Sequence, residues 1–488
     1  MLLLFQNSPL HGSKGMRATK VVVTLGPSSD SYIENLLLEG VDVFRLNFSH
    51  GSLWEQEQRI KKIRAAAFNA NRVVAILGDL QGPKIRIGSF LDKSIQLTVG
   101  ETFAIDGNVG LSAGDNTEVG CTHVYLADQL SVGDVLVLGD GEVELEVRHL
   151  NQSRIQCLVL AGHELSSGKG INLRGGGLSL ETLTKKDLAD LEFACQQGLD
   201  YVAVSFVKSA DDIHRARALI TGFDAHCGIV AKIERAEAVA STTALDAIIR
   251  ASDGVMVARG DLGIEIGDAA LMGVQKRLIK RATELGRSVI TATQMMESMV
   301  NNPKPTRAEV MDVANAVVDG TDAVMLSAET AVGLYPIETV QQMICIIDGA
   351  EASLSNEVLG TSESYGAIDE SIAMAAISVA GKLEKVKAVA CLTASGNTPK
   401  LMARARSYLP IYALADSASA LGRVALIRGV HPRLFCSAEI NYEVVNEAVV
   451  ARLKEDGTLC SGDLMVLSKG DLQDVQGGTN TLKILEVA

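Results

Sequence analysis

At 488 residues the chain is longer than one hydrophobic core usually serves, so two or more domains are expected. Hydrophobic residues at 47% and charged residues at 21% match ordinary globular usage and exclude extended disorder. The 59 acidic against 45 basic residues give a net charge of −14, which excludes a general affinity for nucleic acid or anionic membrane. An anionic substrate would need its own local cluster of cations.

The opening MLLLF is too short for a signal peptide, no apolar run is long enough to cross a membrane, and Met16 offers a second plausible start. Residues 1–15 are therefore read as an N-terminal extension. Short Val- and Ile-rich runs then alternate with amphipathic stretches, the pattern of repeated βα units around a parallel sheet. The first three strands are expected at Thr19–Thr24, Val41–Asn47 and Val73–Asp79. The next five are expected at Tyr201–Ser205, Gly228–Lys232, Gly254–Ala258, Ser288–Thr293 and Ala323–Leu326. Eight such strands predict an α/β fold built on a closed (β/α)₈ barrel, split into residues 16–83 and 182–353.

About a hundred residues separate the third and fourth strands, far beyond an ordinary βα loop. Residues 84–181 hold short alternating segments such as VLVLGDGEVELEV, broken by Gly-Asp turns, and predict a small inserted antiparallel β-domain. Lying after a barrel strand, it is placed over the catalytic face as a lid. A helix from about Pro336 to Leu354 and a polar linker, NEVLGTSESYGA, lead to a C-terminal α/β domain over 354–488. Its strands are expected at Ala388–Thr393, Ile411–Leu414, Leu464–Ser468 and Leu482–Val487. The eight cysteines show no metal-ligand spacing and are read as reduced thiols of a cytoplasmic protein.

Catalytic groups of such a barrel project from the carboxyl ends of its strands, and these ends are rich in polar residues. The second ends in RLNFSHG, with Arg45, Asn47, Ser49 and His50; the third runs into GDLQGPKIR, with Asp79, Lys84 and Arg86. The fifth carries Lys232 and Glu234, the sixth Gly260 and Asp261, the seventh Thr293, and the eighth Ser327 and Glu329. One such residue is more often a cap or solvated surface; so many together indicate a site. Glu234 and Asp261 are hard oxygen donors suited to Mg²⁺ or Mn²⁺, with helix capping as the bland reading of Asp261. Arg45, Lys232 and Arg86 add the positive charge that phosphoryl transfer asks for. A Schiff-base Lys232, as in an aldolase, is the alternative, although the neighbouring carboxylates favour a charged ammonium.

Taken together, RLNFSHG, GPKIR, KIERAEAV, GDLG, TATQMMESM, PTRAEVMDVANAV and DGTDAVMLSAETA resemble the pyruvate kinase family, from about Ala18 to the C-terminus. The resemblance implies transfer of a phosphoryl group from phosphoenolpyruvate to ADP, giving pyruvate and ATP as the last step of glycolysis. It implies substrate contacts at Arg45, Lys232, Gly260, Asp261 and Thr293, and a divalent metal, Mg²⁺ or Mn²⁺, on Glu234 and Asp261. Lys232 is then the transition-state stabiliser, and Asn47, His50, Arg86 and Lys169 contact the nucleotide phosphates, with a second Mg²⁺ arriving on ADP. Ser327 and Thr293 lie where the family relays a proton to the enolate. A homotetramer is also implied.

Two departures from the family's common form stand out. Lys84 replaces the Glu of Gly-Pro-Glu-Ile-Arg, and Leu80 replaces a Thr. Asn47, Ser49 and Asp79 match positions that help bind K⁺ in the common form, so Lys84 is expected to stand in for that ion and K⁺ not to be required. In the C-terminal domain, LTASGNTPKL resembles the family's effector-phosphate loop at Thr393, Ser395, Gly396, Asn397 and Thr398. The last loop, KGDLQDVQGGTNT, has no Trp or Arg to hold a second phosphate, so a sugar monophosphate or nucleotide is expected rather than a bisphosphate.

Overall fold

The computed structural model describes residues 17–139, 141–354, 366–437, 440, 444–471 and 477–488. The N-terminal extension, most of the predicted linker and the centre of the loop 469–481 lie outside the described residues.

Eight parallel strands close into a barrel in sequence order: Lys20–Thr24, Val43–Asn47, Ala75–Asp79, Tyr201–Val204, Gly228–Ile233, Gly254–Ala258, Ser288–Ala292 and Ala323–Leu326. The eighth pairs with the first, Lys20 opposite Ala323. Nearly every strand residue is buried, because one face fills the barrel and the other lies beneath helices, which is why the runs read as apolar rather than alternating. Val22, Leu77, Tyr201, Val230, Met256 and Met325 belong to the cluster inside the barrel. That cluster also takes in Ala425 and Leu426 of the C-terminal domain. Helices start where the sequence supplies caps: Thr306 accepts the Glu309 N–H while Glu309 bonds back to the Thr306 N–H, starting Arg307–Val318.

The chain between the third and fourth barrel strands forms a six-stranded sheet and a two-stranded one. Pairing is antiparallel except where Thr102–Asp106 meets the two-residue strand Glu118–Val119 in parallel. This insert has its own core, including Phe103, Leu136, Leu145 and Ile155. The third and fourth barrel strands still pair directly, Tyr201 opposite Leu77, so the insert leaves the barrel intact.

The C-terminal domain is a five-stranded sheet ordered Val430–Leu434, Ile411–Ala415, Val386–Leu392, Leu464–Gly470, Thr479–Glu486. The last strand is antiparallel to its neighbour and the other pairs are parallel. The strand Val430–Leu434 was not expected from the sequence, because Pro432 argues against a ladder. It is tolerated because this strand lies at the sheet edge.

Candidate active site at the carboxyl rim of the barrel

The polar strand ends meet in the barrel mouth. Arg45 sits beside Thr24 and Leu77 in register, and its buried guanidinium donates from Nε to Asp79 Oδ2 at 2.6 Å and from Nη1 to Thr24 Oγ1 at 2.8 Å. Lys232 reaches the other Asp79 oxygen at 3.2 Å, Glu234 Oε1 at 2.9 Å and Ser205 Oγ at 2.8 Å. Asp79 is thus filled by two cations. Burial alone would raise its pKa, but Arg45 and Lys232 outweigh burial and hold it below the ordinary carboxylate value.

Lys232 shows the converse balance. Burial alone would lower its pKa, but Asp79 and Glu234 together raise it, so the group is an ammonium and not the neutral amine a Schiff base requires. Glu234 is buried and accepts the Phe206 N–H at 2.7 Å. Burial and the nearby Asp261 charge raise its pKa despite Lys232. Two carboxylates with mutual repulsion are the hard donor set that a divalent cation stabilises. Among the described residues no cluster of three or more His, Cys, Asp and Glu forms a complete cage. Glu234 and Asp261 by themselves offer two hard oxygen donors.

Lys84 bonds Asp261 Oδ1 at 2.8 Å and lies 6.0 Å from the Phe206 ring centroid. It stands on Asp261 rather than on Asp79. Asn47 closes a local turn, its Oδ1 accepting the Ser49 N–H at 3.0 Å, and His50 is exposed, its carbonyl taking Gln56 Nε2 at 2.9 Å. Arg86 and Lys169 lie together on the two stems of the lid: Arg86 pairs with Gly170 and donates to the Gly168 carbonyl at 3.0 Å.

Thr293 follows the seventh strand with φ +69°, and Gln294 with φ +53°. A β-branched residue there carries strain of about 1–3 kcal/mol, which surrounding contacts must hold. Its Oγ1 accepts the Gly260 N–H at 2.9 Å, and Arg259 grips the Thr293 carbonyl at 2.6 Å while pairing with Asp312 at 2.6 and 2.8 Å. Ser327 receives no bond on its buried Oγ, and its N–H donates to Glu329 at 2.7 Å. Sequence reasoning missed Ser205, Phe206, Arg259 and Asp312. The Arg beside Gly260 and Asp261 was the one available signal; the others act through long-range contacts.

The predicted effector loop lies at the opposite end of the barrel. Thr393 Oγ1 accepts the Gly396 N–H at 2.9 Å, Gly396 has φ +84°, and Thr398 bonds Thr479 at 2.8 Å. Ser395, Gly396 and Asn397 line a cavity of about 230 Å³ with Tyr201, Asp253, Lys400 and Arg423. Burial, together with Arg287, lowers the Lys400 ammonium to about 8.

A (β/α)₈ barrel with an ammonium, a guanidinium and two carboxylates gathered in its mouth, with a β-domain inserted after the third strand, has the form of an enzyme that handles anionic, phosphorylated substrates. The family profile for the pyruvate kinase barrel domain matches residues 16–340, and that for the pyruvate kinase alpha/beta domain matches 370–485. Pyruvate kinase II of Salmonella typhimurium is 48% identical over 97% of this chain and all of its own length. The pyruvate kinase of Haemophilus influenzae is 47% identical over 96% of this chain and 98% of its own, and that of Geobacillus stearothermophilus 41% over 96% and 80%. The chain belongs to the pyruvate kinase family.

Proposed function

We propose that this chain transfers the phosphoryl group of phosphoenolpyruvate to ADP, using Mg²⁺ held by Glu234 and Asp261. The observation that carries the reading is Lys232, an ammonium fixed by Ser205, Asp79 and Glu234 in a largely buried mouth beside Asp261. The P–O bond to the enol oxygen breaks as a bond forms to the ADP β-phosphate, and charge moves onto the equatorial oxygens of the phosphoryl group. Lys232 and Arg45 are already held in the mouth by Asp79, Glu234, Ser205 and Thr24, so little reorganisation is needed to meet that charge. Mg²⁺, when bound, neutralises substrate oxygens and stabilises the enolate.

The enolate must then take a proton at its terminal carbon to give pyruvate. Ser327, with its unbonded buried Oγ, and Thr293, held in place by Gly260 and Arg259, are the groups we assign to a water relay there. The nucleotide phosphates are assigned to Asn47, His50, Arg86 and Lys169, of which Arg86 and Lys169 bring the lid into the reaction. K⁺ is not required on this reading, because Asp79 is already occupied by Arg45 and Lys232, and Lys84 brings a fixed cation to Asp261.

The loop Thr393, Ser395, Gly396, Asn397 and Thr398 is assigned to a phosphorylated effector, supported by the cations Lys400 and Arg423 in the adjoining cavity. We further read the protein as a cytoplasmic homotetramer; among the described residues no helix is long and apolar enough to cross a membrane. The test is a coupled assay with phosphoenolpyruvate and ADP, with Mg²⁺, K⁺ and sugar monophosphates added or left out in turn. Absence of ATP formation under all of these conditions would overturn the reading.

A further inference from the structure

The lid rejoins the barrel through Arg174-Gly175-Gly176-Gly177-Leu178. The three glycines have φ of +85°, +78° and +104°, a run that only glycine adopts without strain, so this junction has the backbone freedom that a hinge of the lid needs. A glycine hinge without contacts would swing freely. This one is clamped: the Gly175 N–H donates to the Glu265 carbonyl at 2.9 Å, and the Gly177 N–H to Glu237 Oε1 at 2.7 Å. The Leu178 carbonyl accepts from Arg235 Nη2 at 3.1 Å. A Cβ on Gly176 would come 2.8 Å from Glu237 Oε2, so the clamp is also tight.

The clamp is built from the two segments that carry the acidic residues of the mouth. Arg235 and Ala236 directly follow Glu234, and Glu265 lies one helical turn after Asp261 in the helix Arg259–Ile266. The buried Glu265 joins them: its Oε2 accepts the Ala236 N–H at 2.7 Å and its Oε1 pairs with Arg235 Nε at 3.3 Å, while its own carbonyl holds the hinge. Arg235 in turn bonds Glu237 at 3.0 Å. The other lid stem rests on the same helix, through Lys84 and Asp261. Glu265 thus ties the helix of Asp261 both to the segment that follows Glu234 and to the hinge.

We propose that Glu265 is a positioning residue that couples the lid hinge to the two carboxylates, so that cation binding and lid position bias one another. This rests on the reading of Glu234 and Asp261 as cation ligands. By linkage, a cation that fixes these carboxylates must also steady the hinge.

The experiment uses the full chain and Mn²⁺ alone. Binding is read from the loss of the free-ion electron paramagnetic resonance signal, and hinge order from hydrogen exchange in the peptide covering 174–178. Mn²⁺ should slow that exchange by at least about fivefold, the lower end of ordinary coupling, without slowing the strand Leu464–Gly470. In Glu265→Ala, which removes the side-chain bonds to Ala236 and Arg235, Mn²⁺ should still bind and the slowing should be lost. Should that variant fail to fold, Glu237→Ala, which removes the acceptor of the Gly177 N–H, should weaken the slowing. Mn²⁺ binding with no change in hinge exchange in the unmodified protein, or full slowing in the variants, would overturn the coupling and leave the cation site standing. Absence of Mn²⁺ binding would overturn the cation reading itself, and the coupling with it.

Discussion

Replacing Lys232 by Met removes the one ammonium shared by Asp79, Glu234 and Ser205. Losing a neutral donor to developing charge typically costs about 10²–10³ in turnover, and a charged donor bonds roughly twice as strongly. Arg45 stays on Asp79 at 2.6 Å and supplies part of the lost charge, so the expected loss is about 4–6 kcal/mol, or roughly 10³–10⁴ in kcat. Ground-state binding should survive. However, Glu234 loses its neutralising partner while Asp261 remains, so its carboxyl moves further up and ionises only at higher pH. Binding of phosphoenolpyruvate with Mg²⁺ should therefore be measured calorimetrically near pH 8, alongside turnover in the coupled assay. A kcat within about tenfold of the unmodified protein, or a loss confined to substrate binding, would refute the role given to Lys232.

Three further outcomes are expected. Lys84→Glu should make turnover depend on added K⁺ by about tenfold or more, whereas the unmodified protein should be equally active with K⁺ or a bulky organic cation, as read in the coupled assay. Ser395→Asp should abolish activation by any sugar monophosphate or nucleotide that activates the unmodified protein, since it sets an anion in the cavity of Lys400 and Arg423; activity at saturating phosphoenolpyruvate should not change. Asp200, half-buried where the barrel meets the C-terminal domain, is pushed up to about 6 by burial despite the Ile76 N–H and Arg64. A carboxyl raised on folding contributes its full stability below its unfolded value and loses it as pH rises toward 6. Asp200→Asn should therefore stabilise the protein at pH 8 by about 1–2 kcal/mol, allowing for partial exposure, and have no stabilising effect near pH 4, as denaturation midpoints would show.

The barrel was legible because its strands are buried on both faces and flanked by amphipathic helices, so apolar runs located all eight to within a residue or two. The mouth was legible in outline, since strand ends are where side chains converge. Which groups pair there was not. Lys84 reads as a cation near Asn47, Ser49 and Asp79, yet it bonds Asp261, 177 residues away, because Arg45 and Lys232 already fill Asp79. The grip of Arg259 on Thr293 was hidden for a related reason: a positive φ at a Thr leaves no mark in composition, and its partner Asp312 lies in another helix. Val430–Leu434 escaped notice because Pro432 is acceptable only at an edge, and edge position is a property of the assembled sheet.

Ala425 and Leu426 pack among Val22, Leu77 and Met325, and Lys20 of the first strand donates to the Val430 carbonyl at 2.6 Å. The floor of the catalytic barrel is thus laid by the C-terminal domain. A chain cut after the barrel helix Pro336–Ala352 would leave that floor open to water and a buried lysine without its acceptor. The C-terminal domain is in this sense a foundation for the barrel. Its seat lies against the strands Lys20–Thr24 and Ala75–Asp79, whose other ends carry Thr24 and Asp79, the two partners of Arg45.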